Sequence, residues 1–168
     1  MAASADTVVL FRDRPTSADA CFGTEPMNAV WHLAARSAVH RKWALSEIER
    51  LFMPPVAREQ FQLYWTRDGQ PAAVITWMFA PLAMIEQLVS DEIRLEAKHW
   101  TERKFWGDYQ TLHLLFVDLI APYGHCRMVV NDMRARFAGH HGFAMRRNHG
   151  RRRLATFRGY DHDAVQAA

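Results

Sequence analysis

Cysteine and long apolar runs are scarce in this chain of 168 residues. The two cysteines, Cys21 and Cys126, are too few and too far apart to predict a disulfide framework. No uncharged apolar run approaches the roughly 20 residues that a membrane-spanning helix needs. The first residues also lack the basic and apolar regions of a secretion signal. These absences predict a cytoplasmic protein without stable membrane insertion.

The signature motifs of several enzyme classes are also absent. There is no glycine-rich Walker or dinucleotide-binding fingerprint, and no Gly-x-Ser-x-Gly elbow. Two adjacent pairs, His125 with Cys126 and His140 with His141, have no third and fourth ligand at a recognisable metal spacing. We therefore expect neither a metal site nor a permanently bound cofactor.

The overall composition is that of a folded protein. Hydrophobic residues make up 49% and charged residues 23% of the chain, an ordinary balance for a globular domain. The length predicts a single domain. We place this domain at residues 23–160, between a flexible arm at 1–22 and a short tail at 161–168.

Positive charge is concentrated near the C-terminal end, although the formal net charge is only +3. Arginines cluster at residues 146–153, on both sides of a turn predicted at 148–150. A basic hairpin of this kind is often simply solvated, and otherwise it suits an acidic protein partner. No helix-turn-helix, zinc finger or ribonucleoprotein motif accompanies it, so nucleic acid is not the favoured partner.

Hydrophobic periodicity and turn residues predict a chain of mixed helices and strands. Helices are expected where apolar residues recur at helical spacing, and strands where aromatic and β-branched residues cluster. Pro54 should end the second helix, because proline has no N–H to continue it. The predicted helices are 24–37, 44–53, 81–89 and 125–138, and the predicted strands are 60–66, 72–79, 112–120, 143–147 and 152–158.

Asp118 is the one carboxylate in an otherwise apolar strand, which we expect at the centre of a sheet. Alternation along the strand predicts that Asp118 shares a face with Leu112, Leu114 and Phe116. A charge in such a place is costly unless something pairs with it. Two interpretations remain open: Asp118 caps the turn that follows, or it orients a catalytic base.

His40 is the candidate for that base. It lies in a short polar connection between the first two helices, where a side chain is either solvated or presented for function. Gly124 ends the turn that leads from the Asp118 strand into the next helix. A junction of this type aims backbone N–H groups at an anionic or carbonyl group, although it is common in proteins.

Four blocks of sequence together resemble the toxin-activating lysine acyltransferases. The similarity covers roughly residues 27–159, in the same order as in that family. The blocks are residues 37–43 with Ser37 and His40, residues 68–71 followed by Trp77, residues 116–124 with Asp118 and Gly124, and residues 133–137. One departure is Leu119, where the family has Trp, and it predicts a different shape of the acyl channel.

The resemblance implies a fold and an activity. The implied fold is α+β, with a mixed, mostly antiparallel sheet flanked by helices, similar to the Gcn5-related N-acetyltransferases. The implied reaction moves a fatty acyl chain from acyl carrier protein to internal lysines of a repeats-in-toxin protoxin. Its co-substrate is a phosphopantetheine thioester. The family's essential His, Asp and Ser fall on His40, Asp118 and Ser37.

The implied roles suit these residues. An imidazole can take the proton that a lysine amine must lose before it attacks a thioester, and a carboxylate can orient that imidazole. Whether His40 acts as a general base or as a transient acyl carrier stays open, as does a homodimer. Acyl carrier proteins are acidic, so the residues expected to bind the acyl donor or a partner are Gly124, Arg134, Arg136, Arg147, Arg152 and Arg153. The alternative is a non-enzymatic basic adaptor for an acidic protein or nucleic acid.

Overall fold

The computed structural model describes residue 12 and residues 26–100, 111–148 and 151–160. The predicted arm at 1–22, except Arg12, and the predicted tail at 161–168 lie outside these residues. The domain boundaries at 23 and 160 therefore stay a prediction. Within the described ranges, no helix has the length and apolarity needed to cross a membrane.

Five strands form one mixed sheet in sequential order. All neighbouring pairs are antiparallel except β3 and β4, which are parallel. This arrangement confirms the predicted mixed, mostly antiparallel sheet, and it places the Asp118 strand third of five. The strands are β1 Phe61–Trp65, β2 Pro71–Ala80, β3 His113–Ile120, β4 His141–Asn148 and β5 Arg151–Arg158.

Helices cover both faces of this sheet, because each strand alternates apolar side chains between two cores. Val74 and Met78 of β2 belong to a core shared with the first three helices, whereas Ile75 and Trp77 belong to a core shared with the fourth. The helices are α1 Pro26–Arg36, α2 Leu45–Ala57, α3 Leu82–Val89 and α4 Cys126–Arg136, and short 3-10 helices span His40–Lys42 and Ala97–Trp100.

The second helix continues through its two prolines, so the predicted end at Pro54 is wrong. Pro55 is buried on the same helical face as Leu51 and Phe52, and this packing outweighs the two missing N–H donors. The last turn is still bonded, since the amides of Arg58 and Gln60 both donate to the Pro55 carbonyl, at 3.2 and 2.8 Å.

A β-bulge in β3 sets the direction of Asp118. Thr76 of β2 pairs with Asp118, but the next residue, Trp77, pairs with Phe116, so Val117 is the additional residue. Phe116 packs in the core beneath α4, while Asp118 contacts a histidine that packs on the opposite core. The predicted sharing of one face with Leu112, Leu114 and Phe116 is wrong, because strict alternation fails at a bulge.

Strands β3 and β4 touch over only a short length. Their pairing runs from Leu114 opposite Gly142 to Phe116 opposite Ala144, and it stops there although both strands continue. Gly142 permits this close approach, because a Cβ at that position would meet the Leu114 carbonyl oxygen and lie 2.9 Å from the Leu114 Cβ. Beyond Phe116 the two strands separate and leave a gap in the sheet.

Gly142→Ala should therefore lower the free energy of unfolding by about 1–3 kcal/mol, the usual cost of forcing a group into a packed site. Urea denaturation followed by circular dichroism measures this change. Gly124→Asn is the control, since a Cβ there meets nothing within 4 Å and Asn tolerates the positive φ of 87°. An equal or larger loss in the control would contradict the proposed close contact.

Candidate active site

Ser37 and His40 lie in a tight turn that extends the end of α1. The Ser37 amide donates to the Leu33 carbonyl at 3.0 Å, and the Arg41 amide donates to the Ser37 carbonyl at 3.1 Å. A three-residue spacing in such a turn places both side chains on one side. Both residues are buried, with 9% of Ser37 and 6% of His40 exposed. The sequence correctly predicted His40 in the connection between the first two helices.

The bulge in β3 brings Asp118 to this turn. The Nε2 of His40 lies 3.1 Å from the Oδ1 of Asp118, although the two residues are 78 positions apart in the chain. Their side chains are only 7% and 14% exposed, so water screens the pair weakly. The backbone amide of Leu119 also donates to the Asp118 Oδ1, at 2.9 Å.

The surrounding hydrogen bonds define which ring nitrogen of His40 carries the proton. A carboxylate only accepts, so Nε2–H donates to Asp118, and in the neutral imidazole Nδ1 then keeps its lone pair. The Oγ of Ser37 lies 2.7 Å from Nδ1 and can donate to it, while Ser37 Oγ accepts from the His40 amide at 3.3 Å. The three side chains therefore form one connected chain of hydrogen bonds.

Aromatic side chains hold the imidazole in this orientation. The His40 ring centroid lies 4.5 Å from that of Trp43 and 6.5 Å from that of Phe52. One polar group beside the site is unpaired: Thr76, opposite Asp118, is fully buried, and its hydroxyl has no hydrogen-bond partner among the described residues. Sequence patterns gave no sign of Thr76, because its place depends on strand register.

A cavity of about 610 Å³ opens beside His40 and Asp118 at the gap between β3 and β4. This volume is in the range of ligand pockets. Its wall is mainly apolar and comes from β2, β3, β4, β5 and α4. Apolar residues of this wall include Phe116, Val130, Met133, Ala144, Ala155 and Phe157. No sequence pattern pointed to these residues, since no single element contributes the wall.

Some of the arginines predicted to bind a partner already form hydrogen bonds within the chain, and others are exposed. Arg152 is only 18% exposed, donates to the Leu88 carbonyl at 2.7 Å and pairs with Asp91 at 2.9 Å. Arg134 donates to the Arg158 carbonyl at 3.0 Å. Arg153 is exposed, and the side chain of Arg147 lies outside the described part. The partner-binding roles of these four arginines stay a prediction.

A second polar cluster lies where α4 packs on β1 and β2. The Tyr64 hydroxyl donates to Asp132 at 2.6 Å, and Arg12 donates from its Nε at 3.1 Å. Burial, followed by the hydrogen bond to Asp132, raises the pKa of Tyr64 above its usual value, so Tyr64 stays protonated. Arg136 lies over the Trp77 ring at 4.8 Å and donates to Gln62 at 2.6 Å, so this guanidinium also has neighbours within the chain.

Cys126 lines the site at the start of α4, and Gly124 lies in the turn just before it. Gly124 has a φ of 87°, which ends the turn after β3 in a conformation that glycine adopts freely. Cys126 is exposed, carries a free thiol and lines the cavity. Among residues 26–100, 111–148 and 151–160, no three metal-ligating side chains come together.

Comparison with known proteins places these residues in a family. The model of the RTX toxin acyltransferase family matches residues 22–158. The chain is 27% identical over 110 residues to the lysine-acyltransferase RtxC of Vibrio cholerae, covering 66% of this chain and 67% of that protein. It is 33% identical over 115 residues to the RTX-I toxin-activating lysine-acyltransferase ApxIC of Actinobacillus pleuropneumoniae, with coverages of 68% and 62%.

A third relative is the protein-lysine myristoyltransferase HlyC of Escherichia coli, 29% identical over 116 residues, with coverages of 67% and 62%. The chain thus spans less than two thirds of the length of ApxIC and HlyC. The family match extends from before α1 to the last residue of β5, and it includes Ser37, His40 and Asp118. The resemblance found in the sequence blocks is confirmed, and the chain belongs to the RTX toxin acyltransferase family.

Proposed function

We propose that this protein transfers a fatty acyl group from acyl carrier protein to lysine side chains of a repeats-in-toxin protoxin. The observation that carries this proposal is the buried chain Ser37–His40–Asp118 at the edge of an apolar cavity. Family membership supports the same reaction, since the relatives are named as lysine acyltransferases. Cytoplasmic location and a homodimer stay predictions.

His40 acts as the general base in this scheme. The lysine attacks the thioester carbonyl as the neutral amine, a C–N bond forms, and one proton of the nitrogen passes to Nδ1 of His40 through the Ser37 hydroxyl. Collapse of the intermediate breaks the C–S bond, and the imidazolium returns the proton to the leaving thiolate. Asp118 stabilises the imidazolium that exists between these two steps.

Direct transfer is favoured over an acyl-histidine intermediate. A histidine that attacks a thioester needs a free ring nitrogen, but Nε2 faces Asp118 and Nδ1 faces Ser37, at 3.1 and 2.7 Å. Attack by His40 would have to break one of these buried hydrogen bonds. Attack by the lysine amine leaves both in place.

The start of α4 is suited to hold the reacting thioester. The first N–H groups of a helix have no partner within it, and this helix begins at Cys126, which borders the cavity. Such groups can donate to the oxygen that becomes negative during attack. The phosphopantetheine arm enters as part of the co-substrate, and the exposed Arg153 is available to an acidic carrier protein.

His40→Ala should reduce the rate of acyl transfer at least about a hundred-fold, because it removes the base. Intact-mass analysis of a protoxin incubated with acyl-loaded carrier protein measures the product. His141→Ala is the matched control, since His141 is exposed at the start of β4. Full activity of His40→Ala, in a protein that unfolds at the wild-type temperature, would contradict the proposed base.

Asp118→Asn should lower the transfer rate about a thousand-fold, because the amide neither fixes the tautomer nor stabilises an imidazolium. The same assay measures the rate, and circular dichroism verifies the fold. Asp68→Asn is the control, since that residue lies in the exposed turn between β1 and β2, where Asn is equally suitable. Similar losses in the two variants would show that Asp118 has no special part in the transfer.

A non-enzymatic adaptor is the second candidate function, because exposed arginines such as Arg153 could bind an acidic partner without any catalysis. Arg153→Glu should weaken binding of the carrier protein, measured by calorimetry, while stability stays within about 0.5 kcal/mol. Arg152→Ala should instead cost about 1–2 kcal/mol of stability, since it removes the hydrogen bond to Leu88. If Arg153→Glu abolished function in cells and His40→Ala left it intact, the adaptor would replace the enzyme.

A further inference from the structure

We propose that Phe116 and Phe157 close the inner end of the cavity and thereby set the length of the acyl chain that the protein accepts. This inference rests on the proposed transfer reaction and concerns its specificity for the length of the acyl chain. It assigns the length limit to the place where the gap between β3 and β4 ends.

His40, Asp118 and Cys126 line the part of the cavity where the thioester reacts in the proposed function, and Arg146 and Thr156 are the other polar residues of its wall. Along α4, Cys126 and Met133 are seven residues apart, about 10 Å along the helix axis. Met133 is fully buried, so the far part of the wall lies inside the core.

The pairing of the strands locates the closed end. Phe116 and Ala144 form the last pair between β3 and β4, and both line the cavity. The gap that begins beyond this pair leads towards Asp118, two residues further along β3. A chain that extends inward from the reacting carbon is therefore directed towards Phe116.

Two phenylalanine rings block the cavity at this point. The ring centroids of Phe116 and Phe157 are 4.5 Å apart, and both residues line the cavity. Phe137 supports Phe116 from behind, at 5.6 Å between centroids, and it packs in turn against Trp77 at 5.4 Å. Because each ring is held by another, a longer acyl chain cannot displace one ring without moving its neighbours.

Small side chains provide the space in front of these rings. Ala144 and Ala155 are directly paired across β4 and β5, and both line the cavity. Ala144 packs against the core beneath α4, and Ala155 lies on the same face of the sheet because the two residues are directly paired. Larger residues at this pair would fill the volume that an acyl chain occupies.

Each methylene group of the acyl chain that is buried in the cavity should increase the affinity for the acyl donor about four-fold. A shorter chain loses this factor for every position it leaves empty. A longer chain must leave methylenes in water or displace the rings. The length limit is therefore expected to be sharp within a few carbons.

Phe157→Ala tests the limit by lengthening the cavity. Carrier protein loaded with a series of saturated chains competes for one protoxin, and intact mass gives the proportion of each product. Transfer of a chain two carbons longer than the wild-type optimum, relative to transfer of the optimal chain, should rise about 16-fold. Ala155→Leu should shift the optimum to a shorter chain.

Phe143→Ala is the matched control, since Phe143 is a partly buried aromatic residue of β4 that packs on the other core. Its length profile should equal that of the wild type. If Phe157→Ala does not fold, Phe157→Leu and Ala155→Leu make smaller changes at the same end.

The outcomes distinguish failure of the proposed transfer reaction from failure of the proposed limit on chain length. Absence of transfer by the wild type with every chain length would overturn the proposed function itself. Normal transfer with unchanged length profiles in Phe157→Leu and Ala155→Leu would leave the reaction standing and overturn the inference about length.

Discussion

The contact between His40 and Asp118 is the constraint on which the site depends. A buried carboxylate is costly unless it is paired, and a buried imidazole has no fixed tautomer unless a neighbour selects one. The 3.1 Å contact between His40 Nε2 and Asp118 Oδ1 pairs the buried carboxylate and selects the tautomer of the imidazole. Ser37 forms a hydrogen bond with the other ring nitrogen, Nδ1, so both nitrogens of the buried His40 ring have a partner.

This contact explains two irregular features of the sheet. In a regular strand without the bulge at Val117, Asp118 would lie on the α4 face with Phe116, away from the turn that carries His40. The short pairing of β3 with β4 then leaves the edge of β3 open where Asp118 lies, so a cavity can reach the pair. A bulge and a gap, each a local loss of sheet pairing, thus join the polar site to an apolar cavity.

Local patterns predicted most of the elements but not their long-range arrangement. Turn residues and periodicity located the β1–β2 and β4–β5 hairpins and α4, because these signals depend on neighbours in sequence. They missed the continuation of α2 through Pro54, since tertiary packing of Pro55 overrides the local rule. They also missed the direction of Asp118, which depends on register with β2. His40 and Asp118 were paired through resemblance to a family. No sequence pattern predicted the cavity wall, because residues from β2, β3, β4, β5 and α4 form it together.

The most direct measurement of the central claim is nitrogen NMR of the protein labelled at its histidine rings. We expect the neutral ring of His40, identified by the loss of its signal in His40→Gln, to carry its proton on Nε2 and not on Nδ1. In Asp118→Asn this preference should weaken. A proton fixed on Nδ1, or a tautomer that is unchanged when Asp118 is replaced, would contradict the account.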